Sequence, residues 1–385
     1  MLKKQVLWLH KWLGLLSGIV VFLVSISGCM YVFQEELKLL FSPEKYYVTQ
    51  PATNQQPLPL SELTQRTQKA IDTDIPISRI DLYPAKNRTW VFRAVKSNPD
   101  AFGYWNEFQF YKRAFVNPYT GEVQVVEDAR TEFFQILVQF HMNLLLGKKI
   151  GHVLVAYSTA IFGILLLSGL ILWMPKKWTK KSLKRSVSLD FGVKWKRLNY
   201  DLHNILGFYS ILLALLFTIT GLVFAFPEFK ESYIQFFNAV SVKKEYEPQA
   251  IPVIPQKFPE GLDNGLYFAL NQHPTAGMLS IRLKKEKNVA DQIQVRLTKG
   301  KNGDFVWYDI SKNNGQIEKI KRSDKLNMGE QMVGKNYDLH VGSYGGLFTK
   351  ILACIASLIC ASLPVTGFII WINKSKKKKK QYITK

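Results

Sequence analysis

The sequence predicts an α-helical membrane protein: four transmembrane helices in two parallel repeats, with an α+β segment outside the bilayer in each repeat. Three observations predict it. Four apolar runs are long enough to span a bilayer, lysine and arginine gather in alternate connections, and the motifs of the first half recur in order in the second.

A hydrocarbon core needs about 20 mostly apolar residues in helix. Four stretches qualify, from about Trp12 to Phe33, Val153 to Met174, Ile205 to Phe226 and Leu347 to Ile372, and none carries an acidic residue. The polar blocks between them balance these runs, so the mean hydropathy is only −0.03 although 47% of residues are hydrophobic. The tetrad Ile26-Ser27-Gly28-Cys29 has the form of a lipoprotein cleavage site. The apolar run nevertheless continues through Met30, Tyr31, Val32 and Phe33, longer than a signal h-region, so the segment is read as a retained span.

The formal net charge is +22 over 385 residues, which fits either a nucleic-acid binder or a membrane protein with a basic face. Its distribution decides. Lys3, Lys4 and Lys11 precede the first span, nine lysines and arginines from Lys176 to Arg197 lie between the second and third, and Lys374 and Lys376 to Lys380 follow the fourth. Four crossings put all three groups on one side, the cytoplasmic one, with both termini. A multi-pass membrane protein with both termini in the cytoplasm is expected, and no nucleic-acid partner is expected.

The resulting organisation is a first span in 1–33, an outside α+β domain in 34–140, a second span with an outer extension in 141–174 and a basic loop in 175–200. A third span in 201–226, a second outside domain in 227–345, a fourth span in 346–373 and a basic tail in 374–385 complete it. Within the outside segments, strands are predicted at Ile77–Leu82, Thr89–Phe92, Phe108–Lys112 and Glu122–Val126, then at Leu279–Leu283, Gln292–Arg296, Phe305–Tyr308 and Gln316–Ile320. Turns at Asn117–Gly121 and Asn313–Gly315 precede the last strand of each set. The Pro51–Pro59 stretch reads as a flexible linker. Cys29, Cys354 and Cys360 all lie in apolar runs, which suits helix packing and not a disulfide framework or a zinc cluster.

The repeat is specific in its spacing. His10 precedes Gly14, Ser27 and Gly28; His203 precedes Gly207, Thr220 and Gly221; in both, 18 residues separate the histidine from the last glycine. Ser168-Gly169 through Trp173 is answered by Thr366-Gly367 through Trp371, and His141 and His340 precede those glycines by 28 and 27 residues. Spans one and three run the same way, so the repeat axis lies along the membrane normal.

Histidine near a span is costly and usually functional, and imidazole is a standard axial ligand of haem iron. The repeat pairs His10 with His203 near the cytoplasmic face and His141 with His340 near the outer face. Two haem b groups, each held between two histidines, are the expected cofactors. Gly14 and Gly207, four residues after His10 and His203, share the histidine's helix face and leave room for a flat ring. The same glycines would also serve close helix packing. His152, at the outer edge of the second span, is an alternative to His141, and His273 reads as an ordinary surface residue. Outside-facing Arg79, Arg88, Lys112 and Arg113 are candidates for an anionic ligand, although a solvated surface explains them better.

In these residues the chain resembles the PepSY-associated transmembrane family, which includes bacterial inner-membrane ferric-siderophore reductases. The matching features are His10 to Gly14 with Ser27-Gly28, Leu145-Leu146-Gly147 after His141, and Ser168-Gly169 through Pro175. Tyr200-Asp201-Leu202-His203-Asn204 with Gly207, Leu339-His340 and Pro364 to Gly367 complete the set of membrane motifs. Asn117 through Val123 looks like the closing turn of a PepSY domain. The resemblance implies haem b and a ferric siderophore as the substrate reduced on the periplasmic side. Some relatives carry a fused flavin reductase domain; no glycine-rich dinucleotide fingerprint is visible here, so a separate cytoplasmic flavin reductase or a quinol is the expected donor. An iron or chelate transporter and a regulator of a periplasmic protease are the alternative readings.

Overall fold

A computed structural model describes residues 2–48, 55–241, 251–286 and 288–383, with side chains to Ser375. Residues 51–54 of the expected linker at Pro51–Pro59 lie outside the described residues, as do the side chains of Lys376 to Lys380. The chain forms two compact units. One comprises Met1–Val32, Leu137–Lys230 and Leu339–Lys385; the other comprises Phe33–Ile136 and Glu231–Asp338.

The first unit is built on four helices long and apolar enough to cross a membrane: Leu2–Tyr31, Lys148–Trp173, Trp195–Ala225 and Ser343–Ser375, hereafter spans 1 to 4. Span 1 packs on spans 2 and 4, and span 3 on the same two. Small residues permit the approach: Ala214 of span 3 and Cys360 of span 4 meet Leu166 of span 2 in a buried cluster. That is the packing role expected of a membrane cysteine. Aromatic rings add to it, Trp173 of span 2 lying flat on Phe208 of span 3 at 3.8 Å.

Two short helices precede the even-numbered spans, Phe133–Asn143 before span 2 and Met328–Val341 before span 4. The first connection is tight. Leu144 and Leu145 both adopt positive φ, and the Asn143 carboxamide oxygen accepts the Leu145 N–H at 3.0 Å. Gly151 then passes so close to the Asn143 carbonyl that any Cβ would collide with backbone. This contact fixes where the helix bearing His141 meets span 2. In the second connection Gly342, at φ 75°, plays the same part against Thr349 and Ala353.

The second unit is one antiparallel sheet of eight strands: β1 Ile77–Leu82, β2 Trp90–Ser97, β3 Phe108–Val116, β4 Val123–Asp128, β5 Met278–Arg282, β6 Asp291–Arg296, β7 Phe305–Ile310 and β8 Ile317–Arg322. All eight start within one residue of the expected position, but β2 and β3 run five and four residues past their expected ends. Their order is β4-β3-β2-β1-β5-β6-β7-β8. The two outside segments are therefore not separate domains, as the sequence suggested. The apolar side of β1 continues into β5 through Ile80 opposite Ile281, and pairing there satisfies two edges that would otherwise be exposed. A single core results, in which Leu63 and Ile71 of helix Leu60–Ile71 and Leu266 and Ala269 of helix Gly261–Gln272 cover Phe92, Ile80, Leu279 and Ile293.

On the other face of the sheet sits Asp81, 1% exposed, held by Arg79 at 2.9 Å, by Arg93 and by the Ser280 hydroxyl at 2.8 Å. Burial pushes this carboxyl up, but the two guanidiniums and the hydroxyl outweigh it and hold it below the usual carboxylate range. The unfolded chain then binds the proton more readily than the folded one, so the stabilisation is complete above about pH 4 and is lost as pH falls through the lower folded value. Melting curves between pH 5 and pH 3 should fall more steeply for the wild type than for Asp81→Asn. At neutral pH that variant should be destabilised by about 3 kcal/mol, because it leaves guanidiniums without their buried partner. Parallel pH profiles would remove Asp81 as the acid-sensitive group. His273, expected at the surface, is half-buried and bonds the Tyr308 hydroxyl at 2.7 Å.

Candidate functional site: two histidine pairs in the four-helix unit

Four of the six histidines meet in two pairs. The His10 and His203 ring centroids are 6.3 Å apart, with ring planes at 88°. His141 and His340 are 6.1 Å apart, at 69°. His152 stands in neither pair; it closes the π-turn Lys148–His152 that starts span 2.

The seats of these rings share one design. His10 Nδ1 lies 2.8 Å from the Ser168 hydroxyl and His203 Nδ1 2.9 Å from the Thr366 hydroxyl. His340 Nδ1 lies 2.8 Å from the Thr220 hydroxyl, and His141 Nδ1 lies 2.9 Å from the Val24 carbonyl and 3.2 Å from Ser27. Each hydroxyl is followed by a glycine, and it is this glycine that faces the ring. Cβ atoms built there would stand 3.5 Å from the His10 ring at Gly169, 3.2 Å from His203 at Gly367, 3.7 Å from His340 at Gly221 and 3.0 Å from His141 at Gly28. The Ser/Thr-Gly dipeptides, conspicuous in the sequence only as markers of the repeat, are the cradles of the four imidazoles.

The hydrogen bonds also assign the proton. The Ser168 hydroxyl donates to the Leu165 carbonyl at 3.1 Å, Thr366 to Ser362 at 2.9 Å, Thr220 to Leu216 at 2.6 Å and Ser27 to Leu23 at 2.9 Å. A hydroxyl has one proton, so towards the histidine it accepts. The Val24 carbonyl can only accept. All four rings are therefore held as Nδ1–H tautomers, and Nε2 keeps its lone pair, the form in which imidazole ligates a metal.

The separations suit ligation from two sides. With a metal–nitrogen distance of about 2.0 Å and about 1.1 Å from nitrogen to ring centre, two imidazoles on opposite sides of one metal have centroids roughly 6.2 Å apart. Both observed pairs fall there. Among the described residues no group of three or more His, Cys, Asp or Glu gathers as a metal site. Each pair supplies two donors, a set suited to a metal that arrives with equatorial ligands of its own, as haem iron does.

The surroundings differ at the two ends. A cavity of about 940 Å³ opens on His10 and His203, with Gly14, Gly207, Gly169 and Gly367 in its walls and Lys4, Lys11 and Lys374 at its rim. Gly14 and Gly207 line this cavity, each with one leucine, Leu165 or Leu363, at ordinary contact distance. At the other end Phe217 and Phe224 stand against His340, at 6.1 and 5.7 Å between ring centres. Span 1 measures the distance between the ends. His10 and Gly28 are 18 residues apart on one helix, which is about 27 Å along its axis and most of a bilayer core of about 30 Å.

Such a bundle, with paired histidines near each end of its spans, defines a multi-spanning membrane protein. The PepSY-associated TM region matches residues 7–374, and the chain belongs to that family. No curated protein gives a significant match to it.

Proposed function

We propose that this protein is a haem-carrying inner-membrane reductase that takes electrons from the cytoplasmic side and reduces a ferric siderophore on the periplasmic side. The observation that carries the reading is the pairing of four histidines, each with Nδ1 engaged by a hydroxyl or carbonyl and Nε2 left to ligate. His10 and His203 would hold one haem b, and His141 and His340 the other. When bound, haem supplies a centre that takes up and gives back single electrons at a potential set by its axial ligands and surroundings.

The residues of the chain account for the rest. The hydroxyls of Ser168, Thr366, Thr220 and Ser27 fix the tautomer and aim of each imidazole. Lys4, Lys11 and Lys374 offer charge-assisted hydrogen bonds to carboxylate groups at the rim of the cavity. The excess of lysine and arginine around that end argues that it is cytoplasmic and that the sheet unit is periplasmic. Electrons would come from a flavin reductase or a quinol, and iron leaves the siderophore once ferrous, because chelators built for ferric iron hold the ferrous ion weakly. A transporter needs a polar path at mid-membrane. Hydroxyls there are turned to backbone, Thr218 to the Ala214 carbonyl at 2.8 Å and Ser357 to that of Ser25 at 2.8 Å, which favours the reductase.

Detergent-purified protein from haem-replete cells should give a b-type visible spectrum on dithionite reduction, and His203→Ala should lose about half its intensity. The reduced protein, freed of dithionite, should be reoxidised on mixing with ferric citrate. A colourless wild-type protein would end the cytochrome reading.

A further inference from the structure

The strand register aligns charged side chains in one row across the sheet. Directly opposite residues run Glu127, Arg113, Arg93, Arg79, Arg282, Gln292, Asp309 and Lys319 through β4, β3, β2, β1, β5, β6, β7 and β8. Opposite residues in an antiparallel pair share a face, so four arginines stand side by side on four consecutive strands. Like charges in this relation destabilise a sheet unless an anion answers them.

In the β1–β4 half the chain supplies its own anions. Arg113 is closed off by Glu127 and Glu132, both at 3.0 Å, and Arg79 and Arg93 share Asp81. At β5 and β6 it does not. Arg282 is exposed and lies over the Trp307 ring at 4.8 Å, while Arg296, on the same face of β6, has its Nε buried without a hydrogen-bond partner. Among the described residues neither is joined to a carboxylate. Partial burial first, then the Arg79 and Arg296 charges, hold the Arg282 guanidinium below its usual range against the opposing pull of Asp81. The row is thus neutralised from β1 to β4, whereas beyond the β1–β5 seam Arg282 and Arg296 make no ion pair among the described residues, the one carboxylate of that half of the row, Asp309, lying two strands from Arg282.

We propose that Arg282 and Arg296, with Arg79 at the seam and Trp307 beneath, bind the ferric chelate through carboxylate oxygens, so that the substrate class is a polycarboxylate chelate of net negative charge. Guanidinium forks match carboxylates two bonds at a time, and Trp307 fixes the plane of Arg282. The identity of the ligand as an iron chelate rests on the reductase reading; its charge and donor groups rest on the arginine row.

The test uses full-length protein in neutral detergent and gallium citrate, which carries the charge of ferric citrate but accepts no electron. Calorimetry at low ionic strength should detect binding to the wild type, weakened at least tenfold in Arg282→Gln/Arg296→Gln. Lys319→Gln, at the far end of the same row, should change the affinity less than twofold. A cationic gallium trihydroxamate should not compete. Unchanged melting temperature and an Arg282→Lys/Arg296→Lys variant of intermediate affinity would tie the loss to charge. Absence of binding to the wild type, equal binding by the glutamine variant, or equal competition by inorganic phosphate would overturn the assignment. Because gallium binding needs no haem, a colourless protein that still binds gallium citrate would remove the reductase reading and leave this site standing.

Discussion

A leucine at position 28 is expected to take the bound haem from two equivalents to one, by removing the group at His141 and His340 alone. An ideal Cβ at Gly28 stands 3.0 Å from His141 Cε1, 3.3 Å from its Nδ1 and 3.6 Å from the Ser357 hydroxyl. The ring cannot retreat, because its Nδ1 is bonded to the Val24 carbonyl on the same face of span 1. The rest of a leucine side chain must therefore occupy the space of the imidazole. Gly28→Ala should weaken haem retention less, whereas Gly169→Ala, whose Cβ would meet His10 at an ordinary 3.5 Å, should be tolerated. Haem-to-protein stoichiometry from the visible spectrum checks all three. Two equivalents in Gly28→Leu would mean that His141 is not a ligand.

Thr366→Val removes one hydroxyl and keeps the shape of the side chain, and it should lower haem retention at the His10/His203 end by about 10- to 100-fold, the usual cost of losing an outer partner of a ligating histidine. Without the hydroxyl, the proton of His203 keeps only the Leu363 carbonyl as an acceptor and more readily occupies Nε2, the nitrogen needed for ligation. Thr366→Ser should restore retention, since Ser168 does the same work for His10. The rate of haem transfer to an apoglobin acceptor measures this, and the midpoint potential of the remaining centre should stay constant. Equal transfer rates in Thr366→Val and wild type would show that the hydroxyl does not set the tautomer.

The residues of the candidate site were legible because the repeat is strict. Positions 10, 203, 141 and 340 stood out as histidines at matched places beside apolar runs, and the four spans followed from run length alone. Their partners were less legible. Ser168 and Thr366 were visible as repeat markers, but a hydroxyl before a glycine in a membrane helix is also what simple packing would select. Only the seating of one helix on another revealed that Ser27-Gly28 serves His141 and not His10. His152 looked nearly as eligible as His141 because both precede span 2; the left-handed turn at Leu144 and Leu145 and the close pass of Gly151 decide which of them reaches His340.

The same division holds for the sheet. Alternating side chains determined each strand, since a period of two is a local property of the backbone. Arg79 and Arg113 were noticed singly, among four outside-facing candidates, although Arg113 is in fact buried between Glu127 and Glu132. Their alignment with Arg93 and Arg282 depends on register across strands up to some 200 residues apart in sequence, and register is set by how the edges of β1 and β5 meet. The sequence by itself determined the spans, the strands and the histidines, because hydrophobic length, periodicity and residue type act over a few turns of chain. Tertiary structure alone decided that the two outside segments share one sheet, which nitrogen of each imidazole stays free, and that the cations form a row, because each is a relation between side chains that only packing brings together.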